Sequence, residues 1–258
     1  MYRKCLALAA LLACPGAFAD SRIVVPEHPD ANQRAGIEHV LNDWPALSRY
    51  AGENATLPPP AAGEKRVVFM GDSITDSWGR SVGEFFPGRG FINRGISGQT
   101  TPQMLVRFRA DVIALKPAAV VILAGTNDIA GNTGPSSVAM IEDNFSSMVD
   151  LARAHGIRVV LASILPINNY VTKDQADRRP PATIRALNDW MRDLARRENL
   201  AFVDYYAAMV DAHGMMKKEL SDDGLHPNAA GYAVMTPLAL KAITDALSGA
   251  GDSHATHR

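Results

Sequence analysis

Five short stretches, 66–70, 91–93, 119–124, 158–162 and 201–205, are mostly apolar, with Arg66, Asn93, Arg158 and Asp204 the polar residues in them. Continuous runs, rather than alternating apolar and polar positions, suit strands covered on both faces of a parallel sheet. The stretches between them change to helical spacing. Residues 102–115 carry Met104, Leu105, Phe108, Val112 and Leu115 on one face, and Pro117 follows. Residues 137–155 carry Met140, Ile141, Phe145, Met148 and Leu151 and stop at Gly156, a C-terminal signal. Residues 183–198 carry Ile184, Leu187, Met191 and Leu194; residues 229–247 form a last helix, with a kink expected at Pro237. Strand–helix alternation with five strands predicts a three-layer α/β/α domain over residues 66–247, with right-handed crossovers.

The ends read differently. Arg3 and Lys4, the apolar residues 6–13 and Ala17-Phe18-Ala19 have the order of an export signal cleaved after Ala19. The alternative is lipid anchoring at Cys14, after Leu11-Leu12-Ala13. The apolar run is too short for a transmembrane segment. Both cysteines, Cys5 and Cys14, lie in this leader, so the core must hold the exported chain without disulfides. Residues 20–65 form an N-terminal extension. Helical spacing around Trp44 and Leu47 in residues 37–50 is interrupted by Pro45, and Leu57-Pro58-Pro59-Pro60 is a stiff connector. This arm is expected to pack on the main domain rather than fold alone. Residues 248–258 are a small, polar, flexible tail.

With 258 residues, 47% hydrophobic, the chain can bury one sizeable core. A net charge of −1 leaves no basic footprint for nucleic acid.

The candidate chemistry sits at the strand ends, where open parallel sheets bind ligands. Gly71-Asp72-Ser73-Ile74-Thr75 follows the first run, Gly95 the second, and Gly125-Thr126-Asn127-Asp128 the third. The loop Asp223-Gly224-Leu225-His226-Pro227 precedes the last helix and is expected at the same edge. Ser73 is the candidate nucleophile and needs a base. His226 is the candidate base: of seven histidines it alone has an acid three residues before it. Asp223 would orient the imidazole, with Asp222 as the lesser alternative. The Gly95 N–H and the Asn127 amide are candidate donors to an oxyanion. Taken singly, each has an ordinary explanation: Asp72 or Ser73 as a helix cap, Gly and Asn as turn residues, histidine as a structural residue of the kind expected at His155.

Together and in this order, the four segments resemble the GDSL, or SGNH, hydrolase superfamily, with signature residues Ser73, Gly95, Asn127 and His226. The resemblance covers residues 66–247. It implies a flavodoxin-like sheet in the order 2-1-3-4-5, a triad of Ser73, His226 and Asp223, and an oxyanion held by the Ser73 and Gly95 N–H groups and the Asn127 amide. Thr75 stands where the Gly-x-Ser-x-Gly pentapeptide of α/β-hydrolases needs glycine. Ester hydrolysis through an acyl-enzyme is the implied activity, with no cofactor and no metal. The implied partner is a small-molecule or carbohydrate ester; oligomeric state is left open. Two polar loops, 129–136 and 166–181, the second with Asn168, Asn169, Tyr170, Arg178 and Arg179, suggest a hydrophilic leaving group. Short acyl esters, including sugar O-acetyl groups, are expected. The alternatives are a lysophospholipase or thioesterase of the same superfamily, or a non-catalytic carbohydrate-binding protein.

Overall fold

The computed structural model describes residues 25–249. The expected leader, 1–19, lies outside them, as does nearly all of the expected tail. In chain order the elements are α1 (Ala31–Asp43), α2 (Ala51–Thr56), β1 (Val67–Gly71), α3 (Ser73–Ser77), β2 (Ile92–Gly95), α4 (Thr101–Asp111), β3 (Ala119–Leu123), α5 (Thr126–Ile129), α6 (Val138–Ala154), β4 (Arg158–Ala162), α7 (Gln175–Arg178), α8 (Pro181–Glu198), β5 (Ala201–Val203), α9 (Tyr205–Met209) and α10 (Ala229–Leu247).

The sheet is fully parallel, in the order β2-β1-β3-β4-β5. Successive side chains on a strand point to opposite faces, so each apolar run feeds two cores. Val68, Met70, Val120, Ile122, Val159 and Leu161 pack with Met104, Phe108, Phe145, Ile184 and Met191 from α4, α6 and α8. Val67, Phe69, Val121, Leu123, Val160 and Val203 pack with Trp78, Tyr232, Met235 and Ile243. This is the expected three-layer arrangement. The strand order reverses between β1 and β3, and the crevice beyond their C-terminal ends is where such sheets bind ligands.

Several boundaries depart from the sequence pattern for local reasons. The second strand runs on through Asn93, Arg94 and Gly95, which pair with Phe69, Met70 and Gly71 of β1. It is an edge strand, and its polar side chains bond the arm and residues 75–78 instead of following the apolar pattern. The fifth strand stops at Val203 because the Asp204 side chain caps α9 through the Ala207 N–H, 3.0 Å away. The helix expected at 102–115 breaks at Asp111 into a tight turn, Ile113–Leu115, closed by Lys116 in the left-handed region. In the arm, helix α1 lies N-terminal to the expected spacing. Asp30 and Gln33 form a capping box at its start, and it ends before Pro45.

The arm touches the domain chiefly around β2. Tyr50 is buried, with its hydroxyl donating to the Gly95 carbonyl. Asn54 donates to Asp111, 2.7 Å away, and accepts from Arg94. Arg80 donates to the Asn93 carbonyl, 3.1 Å away. Side chains thus satisfy carbonyls of an edge strand that would otherwise offer a template for another chain.

Candidate active site

The turn after β1 is fixed from within. Asp72 is buried, and one of its carboxylate oxygens accepts from the Ile74 N–H at 2.9 Å, capping α3 with Ser73 as the first helical residue. The other oxygen is buried with no hydrogen-bond partner among the described residues. Burial pushes this carboxyl up to about 6, against the Ile74 bond and the nearby His226 and Arg179.

The Ser73 hydroxyl lies 2.9 Å from Nε2 of His226. On the far side of the ring, Nδ1 lies 2.6 Å from Oδ2 of Asp223. The remaining Asp223 oxygen accepts from the Leu225 and His226 N–H groups, both at 2.8 Å. Partial burial raises the Asp223 carboxyl, but the bonds from the His226 ring, the His226 N–H and the Leu225 N–H outweigh it, and the net shift is downward. Asp222 bonds the Asn228 side chain instead, so the structure puts Asp223 and not Asp222 against the ring.

The oxyanion candidates separate. The Asn127 amide donates one N–H to the Gln99 carbonyl, 3.0 Å away. Its oxygen faces Arg179, whose Nη2 is 3.5 Å away and whose Nε donates to Thr126 at 3.1 Å. The amide is therefore held with its nitrogen toward the 95–100 loop, and it keeps a second N–H.

Gly95 does not offer its N–H. That group donates to the Asn93 side chain at 2.9 Å, inside strand β2. Glycine is required there for space: a Cβ would stand 2.1 Å from the Asp76 nitrogen. Assigning Gly95 as a donor is corrected on that ground. The next glycine, Gly98, has φ +81 and lies in the exposed loop that Asn127 grips. Among the described residues no acceptor faces the Gly98 or the Ser73 N–H. The sequence signal for Gly98 was the Ser97-Gly98 pair, a turn pair that permits positive φ.

Most of the five polar side chains singled out in the second loop are spent on bonds within the protein, while Lys173, Asp174 and Asp177 beside them are exposed. Asn168 bonds the Met216 carbonyl, Asn169 accepts from the Ala176 N–H, and Tyr170 donates to the Ser221 carbonyl. Arg179 is buried, and of the five only Arg178 is exposed. The Tyr170 hydroxyl and the Asn168 N–H, which donates to the Gly224 carbonyl at 2.7 Å, brace the loop that carries Asp223 and His226. In the other loop, Asn132 bonds the Gly98 carbonyl at 3.2 Å and Thr133 meets Thr100 at 2.9 Å. A cavity of about 480 Å³ opens elsewhere, between α2 and β2, lined by Glu53, Leu57, Trp78, Phe91 and Arg94. None of the residues proposed for chemistry lines it. No group of three or more His, Cys, Asp or Glu able to hold a metal ion occurs among the described residues.

Known proteins share this arrangement of chain. Residues 69–234 match the GDSL-like Lipase/Acylhydrolase family. A solved candidate acylhydrolase from Bacteroides fragilis is 45% identical with a TM-score of 0.76, covering 80% of this chain and 99% of its own. Esterase TesA of Pseudomonas aeruginosa is 34% identical over 140 residues, 54% of this chain and 62% of its own. The acetylxylan esterase of Geobacillus stearothermophilus is 27% identical over 211 residues, 70% of this chain and 94% of its own. The chain spans about three fifths of the length of the curated relatives that it matches at 32% and 34% identity.

Proposed function

The chain belongs to the GDSL-like lipase/acylhydrolase family, hydrolases acting on esters, and from that premise we propose that it is a serine esterase working through an acyl-enzyme. The observation that carries the reading is the unbroken line from Ser73 Oγ to His226 Nε2, 2.9 Å, and from His226 Nδ1 to Asp223, 2.6 Å. An aliphatic hydroxyl is a weak nucleophile until a base takes its proton. His226 takes it as Ser73 attacks the acyl carbon, then delivers it to the departing alcohol. Water enters by the reverse route and releases the acid. Asp223 holds the ring and favours the imidazolium formed at each transfer. The Ser73 N–H, the Gly98 N–H and the second Asn127 N–H are assigned to the oxyanion, because each is a donor beside the nucleophile's loop with no acceptor among the described residues.

Short acyl esters, including O-acetyl groups on a carbohydrate, are the proposed substrates. Similarity to the acetylxylan esterase over most of its length supports this choice. Export belongs to the same proposal and rests on residues 1–19; among the described residues no helix is long and apolar enough to cross a membrane. Hydrolysis of nitrophenyl esters from acetate to palmitate, with Ser73→Ala as the control, tests the reading. A peak at acetate that vanishes in Ser73→Ala is expected; a peak at palmitate would overturn the short-chain assignment.

A further inference from the structure

We infer that residues 44–50 of the N-terminal arm are a working part of the oxyanion site, with Tyr50 as the positioning residue. The inference rests on the esterase reading above and extends it to a segment outside the 69–234 family match.

The loop that presents Gly98 has few bonds of its own. Ile96 donates to the Gly71 carbonyl at 3.0 Å, and Gln99 to the Ile96 carbonyl at 3.3 Å. The domain adds Asp76, Arg107, Asn127 and Asn132, the last donating to the Gly98 carbonyl at 3.2 Å, and the arm anchors this set from outside. The Tyr50 hydroxyl donates to the Gly95 carbonyl and accepts from Arg80 at 2.7 Å. Arg80 also grips Asp76 at 2.5 Å, and the other Asp76 oxygen accepts from the Ser97 hydroxyl at 2.7 Å and the Ser97 N–H at 3.2 Å. A continuous line of charge-assisted bonds therefore runs from Tyr50 to the residue before Gly98.

A second line reaches the residue after it. The Gln99 side chain donates to the Pro45 carbonyl at 2.8 Å, and its oxygen accepts from buried Arg107 at 2.5 Å. The carbonyl of the same Gln99 holds the Asn127 amide. Gln103 adds a bond to the Trp44 carbonyl at 2.6 Å. Gly98 is thus bracketed by two residues that lead back to the arm.

Tyr50 is an unusual choice for mere covering. It is fully buried, with the guanidinium groups of Arg49, Arg80 and Arg94 4.7, 5.2 and 4.5 Å from its ring centroid. A phenylalanine would fill the same space and keep the ring–cation contacts. Only the hydroxyl joins Gly95 to Arg80. Donors aimed at a developing charge work by being held in place before it forms, so loosening the Gly98 loop weakens the transition state more than the ground state.

The test is Tyr50→Phe, with Asn54→Ala as a control in the same arm whose bonds go to Arg94 and Asp111 rather than to the loop. Three readings are taken well below the melting temperature: nitrophenyl acetate kinetics, affinity for a trifluoromethyl ketone, and amide hydrogen exchange at Ile96 and Ser97, whose N–H groups are bonded. For Tyr50→Phe, kcat is expected to fall about tenfold or more with KM within twofold, since small displacements of catalytic groups cost up to about 10². Ketone affinity is expected to fall by the same factor, and exchange at Ile96 and Ser97 to speed up. Asn54→Ala is expected to lower the melting temperature and leave these three readings at parent values. Equal losses in both variants would reduce the arm to a structural cover and overturn the inference. So would unchanged exchange, or unchanged kcat, in Tyr50→Phe. Full activity in Ser73→Ala would sink the nucleophile assignment instead, while the exchange contrast still reported on the arm.

Discussion

The Gly95 N–H donates to Oδ1 of Asn93, two residues back on the same strand, at 2.9 Å. The Asn93 amide also donates to the Thr75 carbonyl at 2.6 Å and the Trp78 carbonyl at 3.1 Å, tying β2 to the helix that starts at Ser73. The pair is a brace under the site. Asn93→Ala takes the bond from the Gly95 N–H and the Trp78 carbonyl, while the Thr75 carbonyl keeps the Trp78 N–H, and is expected to cost about 2–4 kcal/mol in urea unfolding. Gly95→Ala is expected to fold poorly, because a Cβ meets the α3 backbone. Gly98→Ala is expected to fold, since nothing beyond Asn132, 4.0 Å away, crowds a Cβ, and to lose kcat, since φ +81 strains an alanine by about 1–2 kcal/mol and shifts the loop. Equal behaviour of the two glycine variants in unfolding and kinetics would contradict the assignment of roles.

Asn127→Ala removes a proposed oxyanion donor and is expected to lower kcat about 10²–10³-fold with little change in KM. Steady-state kinetics on a short-chain nitrophenyl ester read this directly, and a rise in KM at constant kcat would place Asn127 in ground-state binding instead.

Arg179 holds the Asn127 oxygen from a buried position, where Arg178, Asp72, Asp174 and Asp223 also act on it. Burial, with Arg178 beside it, pulls its guanidinium below the usual arginine range, though the three carboxylates oppose that. Arg179→Met frees the amide to rotate, and kcat is expected to fall about tenfold. Arg179→Lys is not expected to restore it, because a single ammonium cannot reach Thr126, Gln175 and Asn127 together. Parent-like kcat in either variant would remove Arg179 from the positioning of the amide.

Two buried carboxyls set an unusual pH trend. Burial pushes Asp72 and Asp128 up to about 6, the latter despite bonds from the Thr101 hydroxyl and N–H. Unfolded carboxyls titrate near ~4, so across roughly pH 4–6 the folded chain holds more protons. Stability from these two groups therefore falls as pH rises through that window, and the cost is fully present above it. Asp223 acts in the opposite sense: its lowered carboxyl stabilises the fold above about pH 4, and the contribution is lost as pH falls through its folded value. Asp72→Asn keeps a capping oxygen and removes the charge. Its stability relative to the parent is expected to improve from pH 4 to pH 7, on the order of 1–3 kcal/mol. Urea unfolding across that range checks it, and a constant offset between the two proteins would contradict it.

How far the sequence reached follows from where hydrophobicity carries the signal. Central strands such as Ala119–Leu123 are buried on both faces and show as apolar runs. Strand Ile92–Gly95 escaped in part because its edge position lets Arg94 bond Asn54 and Glu53 of the arm. Ser73, Asp223 and His226 were legible because a strand-end turn and a three-residue spacing constrain them locally. The backbone donor was misread because which N–H is free depends on where the Asn93 side chain turns, and spacing holds no record of that. Tyr50 and Arg179 passed as arm and loop residues, since their partners lie 45 and about 50 residues away in sequence.

The central claim is that Ser73 attacks with His226 as its base. Intact-mass measurement after exposure to a serine-directed phosphonate tests it most directly. One adduct on Ser73 in the parent, none in Ser73→Ala and much slower uptake in His226→Ala is the expected result. An unmodified parent, or equal labelling of Ser73→Ala, would contradict it.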